Sequence, residues 1–363
     1  MAVALVIQSV SAVAETVVPA SDNRIVWVGR TQVDSGEVSF DWSSVYVRIS
    51  FEGNLLKLKA TDTRKDYFNI WIDKEMCAEP DKVVSISSDT LLQIVSPSDF
   101  DSSKAMKKPH TVIIQKRTEG EQGRAVFREF ETSGTVLQAS GILPRMIEFV
   151  GDSYTCGYGS ENSIATQRYR PETQNPSKTY AAVTARYFGA DVVTIAHSGQ
   201  GISRNYDDGD RSQHMPSRYS QTFDTDRSVK WEPQGDFRPA VTVIYLGTND
   251  FSTERQPMRG AFKRDYLSLL SKIKAYWGAE HPILCVSSKA DPILFEYIRE
   301  TVEDCGMKNV YYTGFFNGVH LDTNAELGAD WHPNYRAHVK LAYALIPYIS
   351  TITGWEMEAK PVE

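Results

Sequence analysis

Four cysteines in 363 residues, Cys77, Cys156, Cys285 and Cys305, form no CxxC pair and no metal-ligand spacing, which excludes a cysteine-built zinc site. Cys285 lies inside an apolar run, where a thiol packs as a small hydrophobe. Positive charge is also short: 39 Lys and Arg against 46 Asp and Glu leave a net charge of −7. A nucleic-acid surface needs clustered Lys and Arg to replace phosphate counterions, so that partner is not expected. The densest basic stretch, "SKAMKKPH" (103–110), precedes an apolar strand pattern and reads as a solvated turn. No apolar run reaches the roughly 18–20 residues that span a bilayer. HExxH and GxxxxGK[ST] are absent. "GQGISR" (199–204) has Arg204 where GxGxxG requires glycine, and "GDSYT" lacks the second glycine of a G-x-S-x-G elbow. Internal repeats and low-complexity tracts are absent too.

The N-terminus, "MAVALVIQSVSAVAETVVPASDN", lacks the positive charge that opens a signal peptide, yet Ala12-Val13-Ala14 fits the small-x-small cleavage rule. Residues 1–23 read as a shortened signal, an N-terminal extension or a first strand. A secreted or periplasmic location is the expectation.

Against these absences stand 41% hydrophobic and 11% aromatic residues, ample for packed cores. Over residues 24–141 the rhythm is period two. "SSVYVRISFEG", "LLKLKATD", "YFNIWIDKEM", "LLQIVSPSD", "HTVIIQKRT" and "AVFREFET" alternate apolar and polar residues, separated by turns such as "RTEGEQG". Many short half-buried strands predict an antiparallel β-sandwich, a jelly roll. Over residues 142–363 the rhythm changes. Five short apolar runs, "MIEFV", "DVVTIA", "AVTVIYL", "PILCVSS" and "NVYYT", alternate with helical patterns such as "AFKRDYLSLLSKIKAYWG" and "NYRAHVKLAYALIPYIS". That order predicts an α/β/α domain on a five-stranded parallel sheet, whose sites form beyond the carboxyl ends of the strands.

Four marked stretches fall at such places. "FVGDSYTCGYG" puts Ser153 directly after the first apolar run of this half. "AHSGQGIS" follows the second with Gly199 and Gly201, and "LGTNDFS" follows the third with Asn249. "GADWHPN" enters the last helix with Asp330, Trp331 and His332. Ester cleavage by acyl transfer needs parts of this kind: a serine to attack the carbonyl, and a histidine to take its proton and return it to the leaving alcohol. The N–H of Ser153, the N–H of Gly201 and the amide of Asn249 are the candidate oxyanion donors. Each residue has a plain structural reading by itself, as turn, cap or core. Their joint occurrence in order, each at a strand end, favours catalysis.

The ordered set "GDS", glycine, "GTND" and a late Asp/His block resembles the SGNH (GDSL) hydrolase superfamily, with Ser153, Gly201, Asn249 and His332 at its four name-giving positions. The sandwich in front, with "IEFVGDSYTCGYG", "SRNY" and "DWHPN", narrows the resemblance to carbohydrate esterase family 2. The resemblance implies removal of acetyl groups from plant cell-wall polysaccharides such as xylan and mannans, without cofactor or metal. It also implies that Tyr206 and Trp331 flank the cleft and hold the sugar. One departure is visible: the superfamily writes Asp-x-x-His, whereas Ala329 stands three before His332 and Asp330 two before it. Either the Asp330 carboxylate orients the imidazole from an irregular loop, or a backbone carbonyl does and the enzyme runs on a Ser–His dyad.

Two other functions stay open on the residues alone. A carbohydrate-binding protein would use the sandwich and the aromatic cleft without turnover, although it would not need the Ser, Gly, Asn and His set. A lipid or short-chain esterase would need a groove for the acyl chain. His338 lies within the last helical pattern and reads as structural, His197 matches no required role, and "YDDGDRS" (206–212) lacks EF-hand spacing.

Overall fold

The computed structural model describes residues 15–100, 108–208, 213–233, 235–314 and 325–359. Residues 1–14 of the signal reading, residues 103–107 of the basic stretch and residues 209–212 of "YDDGDRS" lie outside the described residues.

Alternation gives each strand of the first half one buried face. In Leu56–Asp62, Leu56, Leu58 and Ala60 are buried while Lys57 and Lys59 point outward. One antiparallel sheet runs Gln32–Asp34, Glu37–Phe40, Ala125–Thr132, Leu56–Asp62, Thr90–Val95. The other runs Val136–Leu137, Tyr46–Glu52, Pro109–Lys116, Asp66–Ile72, Lys82–Ile86, with Val26–Val28 also on Tyr46–Glu52. Aromatic rings close the sandwich between them: Phe127 of the first sheet lies 5.5 Å from Phe68 of the second, and Phe40 lies 5.2 Å from Trp27. Thr16–Pro19, counted above with the N-terminal extension, pairs antiparallel with Ala125–Thr132. Val18 is buried in this edge strand, which has one neighbour, and four residues are too few to show a period.

The second half forms the five-stranded parallel sheet, in the order Asp191–Ala196, Met146–Gly151, Val241–Leu246, Ile283–Ser287, Val310–Thr313. Its three leading strands are buried along their whole length, as strands covered on both faces must be. Helix Tyr180–Tyr187 packs on Tyr335–Thr353, and Arg259–Trp277 on Pro292–Asp304. After the first strand, Met146–Gly151, the chain moves to one side and then crosses to the other. This reversal opens a crevice at the strand's carboxyl end. Ser153 sits there.

The two halves are bolted together by buried polar contacts. Trp42 Nε1 donates to Thr222 O at 2.9 Å, Asn69 Nδ2 to Asn175 Oδ1 at 2.9 Å and Arg117 Nε to Gln174 O at 2.8 Å. Arg30, fully buried, faces Glu148 of the first parallel strand and stacks over Trp231 at 4.3 Å.

Candidate active site

The turn that carries Ser153 is dictated by close approach. A Cβ on Gly151 would stand 2.0 Å from Thr155 Oγ1, so only glycine lets the strand end this tightly. The chain then makes a single helical turn, Ser153–Cys156, capped by Asp152, whose carboxylate accepts the Tyr154 N–H at 3.1 Å. Gly157, at φ 80°, ends the turn in the left-handed region. Ser153 is left in the first position of the turn, where a backbone N–H has no partner within the helix.

His332 meets it from the far end of the sequence. Its Nε2 lies 2.9 Å from Ser153 Oγ. Its Nδ1 faces two backbone carbonyls, Asp330 O at 3.1 Å and Ala329 O at 3.2 Å. Tyr158 lies 4.2 Å from the imidazole centroid and Tyr154 5.6 Å. Burial behind these rings pushes the imidazole below its ordinary titration range, while the Asp330 and Ala329 carbonyls pull the other way.

The Asp330 carboxylate is not on the imidazole; of the two arrangements the sequence allows, the one found is backbone carbonyls facing Nδ1. The carboxylate accepts from Tyr169 N at 2.9 Å, Tyr158 Oη at 3.0 Å and Arg168 Nη1 at 3.0 Å. Burial raises this carboxyl, but those donors outweigh it and hold it below the usual carboxylate range. The physical reason is the backbone: Asp330 (φ 48°) and Trp331 (φ 64°) are both left-handed, which turns the Asp330 carbonyl toward the ring and its side chain away. Non-glycine residues there cost of order 1–3 kcal/mol each, so the carboxylate's three donors serve to hold the turn. Asp330→Asn is expected to lower kcat about tenfold or less, against the roughly 10⁴-fold loss expected where a carboxylate orients the base. Steady-state kinetics on a soluble acetyl ester separates the two.

Asn249 reaches the same place from the third strand. Its Nδ2 donates to Gln200 O at 2.8 Å and, less tightly, to Asp152 Oδ2 at 3.3 Å. The Gly201 N–H donates to Asn205 Oδ1 at 3.0 Å within its own loop. A Cβ there would stand 2.0 Å from Arg204 O and 2.4 Å from Asp250 Oδ2. The glycine answers to close packing inside its own loop. Tyr206 and Trp331, 58% and 60% exposed, stand on the rim of a cleft of about 800 Å³ that also takes in Ser153, Asn249 and His332. The rest of the wall is largely polar, with Thr253, Glu254, Gln256 and Lys289 among its residues.

Several supporting residues had no sequence signal. Asp250, beside Asn249 in "GTND", accepts from the N–H groups of Ile202, Ser203 and Arg204 at 2.8–3.0 Å. The buried Arg204 reaches back to Asp250 O and Ser252 O. His338 is structural, its Nδ1 accepting the Tyr180 N–H at 3.3 Å, and Cys285 is fully buried in its strand. His197 is ion-paired with Asp224 at 2.8 Å. Among the described residues no helix is long and apolar enough to cross a membrane.

Residues 27–139 match the carbohydrate esterase 2 N-terminal family and residues 149–340 the GDSL-like lipase/acylhydrolase family. The chain is 31% identical over 324 residues to the cellulase/esterase CelE of Acetivibrio thermocellus, covering 86% of this chain but only 38% of that protein. It is 28% identical to an acetylxylan esterase / glucomannan deacetylase of Cellvibrio japonicus, covering 87% of this chain and 86% of the relative. A solved structure of a family two carbohydrate esterase from Clostridium thermocellum in complex with cellohexaose superposes with a TM-score of 0.81 at 29% identity, over 92% of this chain and all of that one. The chain belongs to the GDSL-like lipase/acylhydrolase family and, within it, to carbohydrate esterase family 2.

Proposed function

We propose that this protein is a carbohydrate O-acetylesterase that deacetylates plant cell-wall polysaccharides such as xylan and glucomannan with a Ser153–His332 dyad. It is a carboxylic ester hydrolase. The observation that carries the reading is the 2.9 Å contact between Ser153 Oγ and His332 Nε2 on the floor of a polar, aromatic-rimmed cleft. Ser153 Oγ bonds to the acetyl carbonyl carbon as its proton passes to His332 Nε2. The carbonyl π electrons move onto oxygen, which the Ser153 N–H and the Asn249 amide stabilise. Collapse breaks the bond to the sugar oxygen, which leaves with the proton from Nε2. Water repeats the sequence on the acetyl-serine and releases acetate. The imidazolium formed in each half is held by the carbonyls at Nδ1. The Gly201 N–H, bonded to Asn205 at rest, joins the oxyanion by exchanging that partner, as the Asn249 amide exchanges one of its own.

The wall chemistry supports a sugar over a fatty chain: Thr253, Glu254, Gln256 and Lys289 offer hydrogen bonds, and Tyr206 and Trp331 offer flat faces to a pyranose. A polymeric substrate lies outside the cell, so this reading carries export with it. Acetate release from acetylated xylan and glucomannan, beside a long-chain acyl ester, tests it. Acetate is expected from the polysaccharides, and turnover of the long-chain ester alone would overturn the reading.

The dyad also fixes a pH limb. His332 must be neutral to take the proton, and burial keeps it below the ordinary imidazole value of about 6.5. Therefore kcat/KM should hold level down through neutral pH and fall with unit slope only below about 6.5. An acid limb centred above that value would assign the base elsewhere.

A further inference from the structure

The loop "RTEGEQG" (117–123) crosses from strand Pro109–Lys116 of one sandwich sheet to Ala125–Thr132 of the other and meets the loop that follows strand Asp191–Ala196. Glu119, only 2% exposed, accepts the Ser198 N–H at 2.7 Å and lies 2.6 Å from Ser198 Oγ. The same carboxylate takes a weak contact from Cys156 Sγ at 3.5 Å, in the turn that begins at Ser153. Glu121 reaches His197 Nε2 at 3.3 Å, and the Gly120 N–H donates to Asp224, the ion-pair partner of His197, at 3.1 Å. On the far side Asp41 of the sandwich accepts the Asp224 N–H at 2.6 Å. Two residues beyond Ser198, the Gln200 carbonyl holds the Asn249 amide at 2.8 Å.

We infer that Glu119, contributed by the sandwich, is a positioning residue for ester hydrolysis: by holding Ser198 it sets the 197–201 loop whose Gln200 carbonyl aims the Asn249 amide at the reacting carbonyl. This rests on the Ser153–His332 reading. It gives the sandwich a part in catalysis that needs no glycan contact. Burial raises the Glu119 carboxyl, opposed by His197 and by the two bonds from Ser198. A buried carboxylate there would be costly without those donors. The geometry also separates charge from position. A glutamine keeps both bonds, its carbonyl accepting the Ser198 N–H and its amide donating to Ser198 Oγ. Alanine keeps neither.

The test compares full-length Glu119→Ala and Glu119→Gln on p-nitrophenyl acetate. Displacing a catalytic group by about 1 Å costs roughly 10²-fold. Glu119→Ala is accordingly expected to lose about 10²-fold in kcat with KM within about threefold, and with an unmoved acid limb because His332 is untouched. Glu119→Gln is expected to stay within about threefold of wild type, since both hydrogen bonds survive. Wild-type kcat in Glu119→Ala, an equal loss in Glu119→Gln, a loss confined to KM or a shifted acid limb would each overturn the inference. Should the alanine variant not fold, Glu119→Asp takes its place: one methylene shorter, it cannot span both Ser198 donors and should lose at least about tenfold while Gln does not. Equal activity of Asp and Gln would overturn it. Failure of the esterase reading shows differently, as full activity in Ser153→Ala.

Discussion

Acetate release from acetylated xylan and glucomannan falls to background in Ser153→Ala, a loss of roughly 10⁴–10⁶ in kcat, because nucleophile and base act as one unit. What persists is background catalysis from binding and the oxyanion donors, since alanine keeps the backbone N–H at 153. The fold should be indifferent to the change. Ser153 Oγ contributes the bond to His332 Nε2, whose ring stays packed against Tyr158 and tethered to two carbonyls, so the stability change should stay within about 1 kcal/mol. Binding of unacetylated cello- and xylo-oligosaccharides should likewise persist, since Tyr206 and Trp331 are untouched. Loss of turnover with binding intact identifies the nucleophile. A folded Ser153→Ala protein that still releases acetate at the wild-type rate would move the chemistry to another group. No acetate from either protein, with glycan bound, would make this a binding protein on an esterase fold.

How much of this was legible in the sequence differs from element to element. Leu56–Asp62 and Met146–Gly151 announce themselves because one face, or both, must be apolar over six or seven residues. Lys82–Ile86 was missed because it is an edge strand bonded to Asp66–Ile72 whose residue types do not follow its alternating burial: Lys82 lies on the more covered face and Val83 on the exposed one. At the site, Ser153, Asn249 and His332 were readable as a set because each follows or precedes an element at a fixed place. The orientation of His332 was not readable. Its partners are the carbonyls of Ala329 and Asp330, and a carbonyl has no residue type; only the departure from Asp-x-x-His hinted at it. What the glycine at 201 answers to was not readable for a related reason. A glycine advertises that something comes close, not what, and here it is Arg204 O and Asp250. Glu119 lies 79 residues from Ser198, in the other half of the chain, and no local pattern could join them.

The second large effect is expected at Asn249. Its amide is committed in the resting protein, tightly to Gln200 O and loosely to Asp152 Oδ2, and the loose bond is the one an oxyanion can displace. Burial raises the Asp152 carboxyl to about 7, with the Asp250 and Glu119 carboxylates adding to that and the Tyr154 N–H opposing it. Near neutral pH this carboxyl therefore gives a weak grip on Asn249, and exchange for a full negative charge on the substrate favours the transition state over the ground state. Asn249→Ala should cost about 10²–10³ in kcat, the usual effect of losing one oxyanion donor, with KM little changed. It should also lower stability by roughly 1–3 kcal/mol, because the buried Gln200 carbonyl loses its partner. The two effects separate by temperature: well below the melting transition only the first is seen. A variant whose KM rises while kcat holds would make Asn249 a ground-state sugar contact. The oxyanion would then rest on the Ser153 N–H and on whichever loop amide, Gly201 foremost, can exchange its internal partner for the substrate.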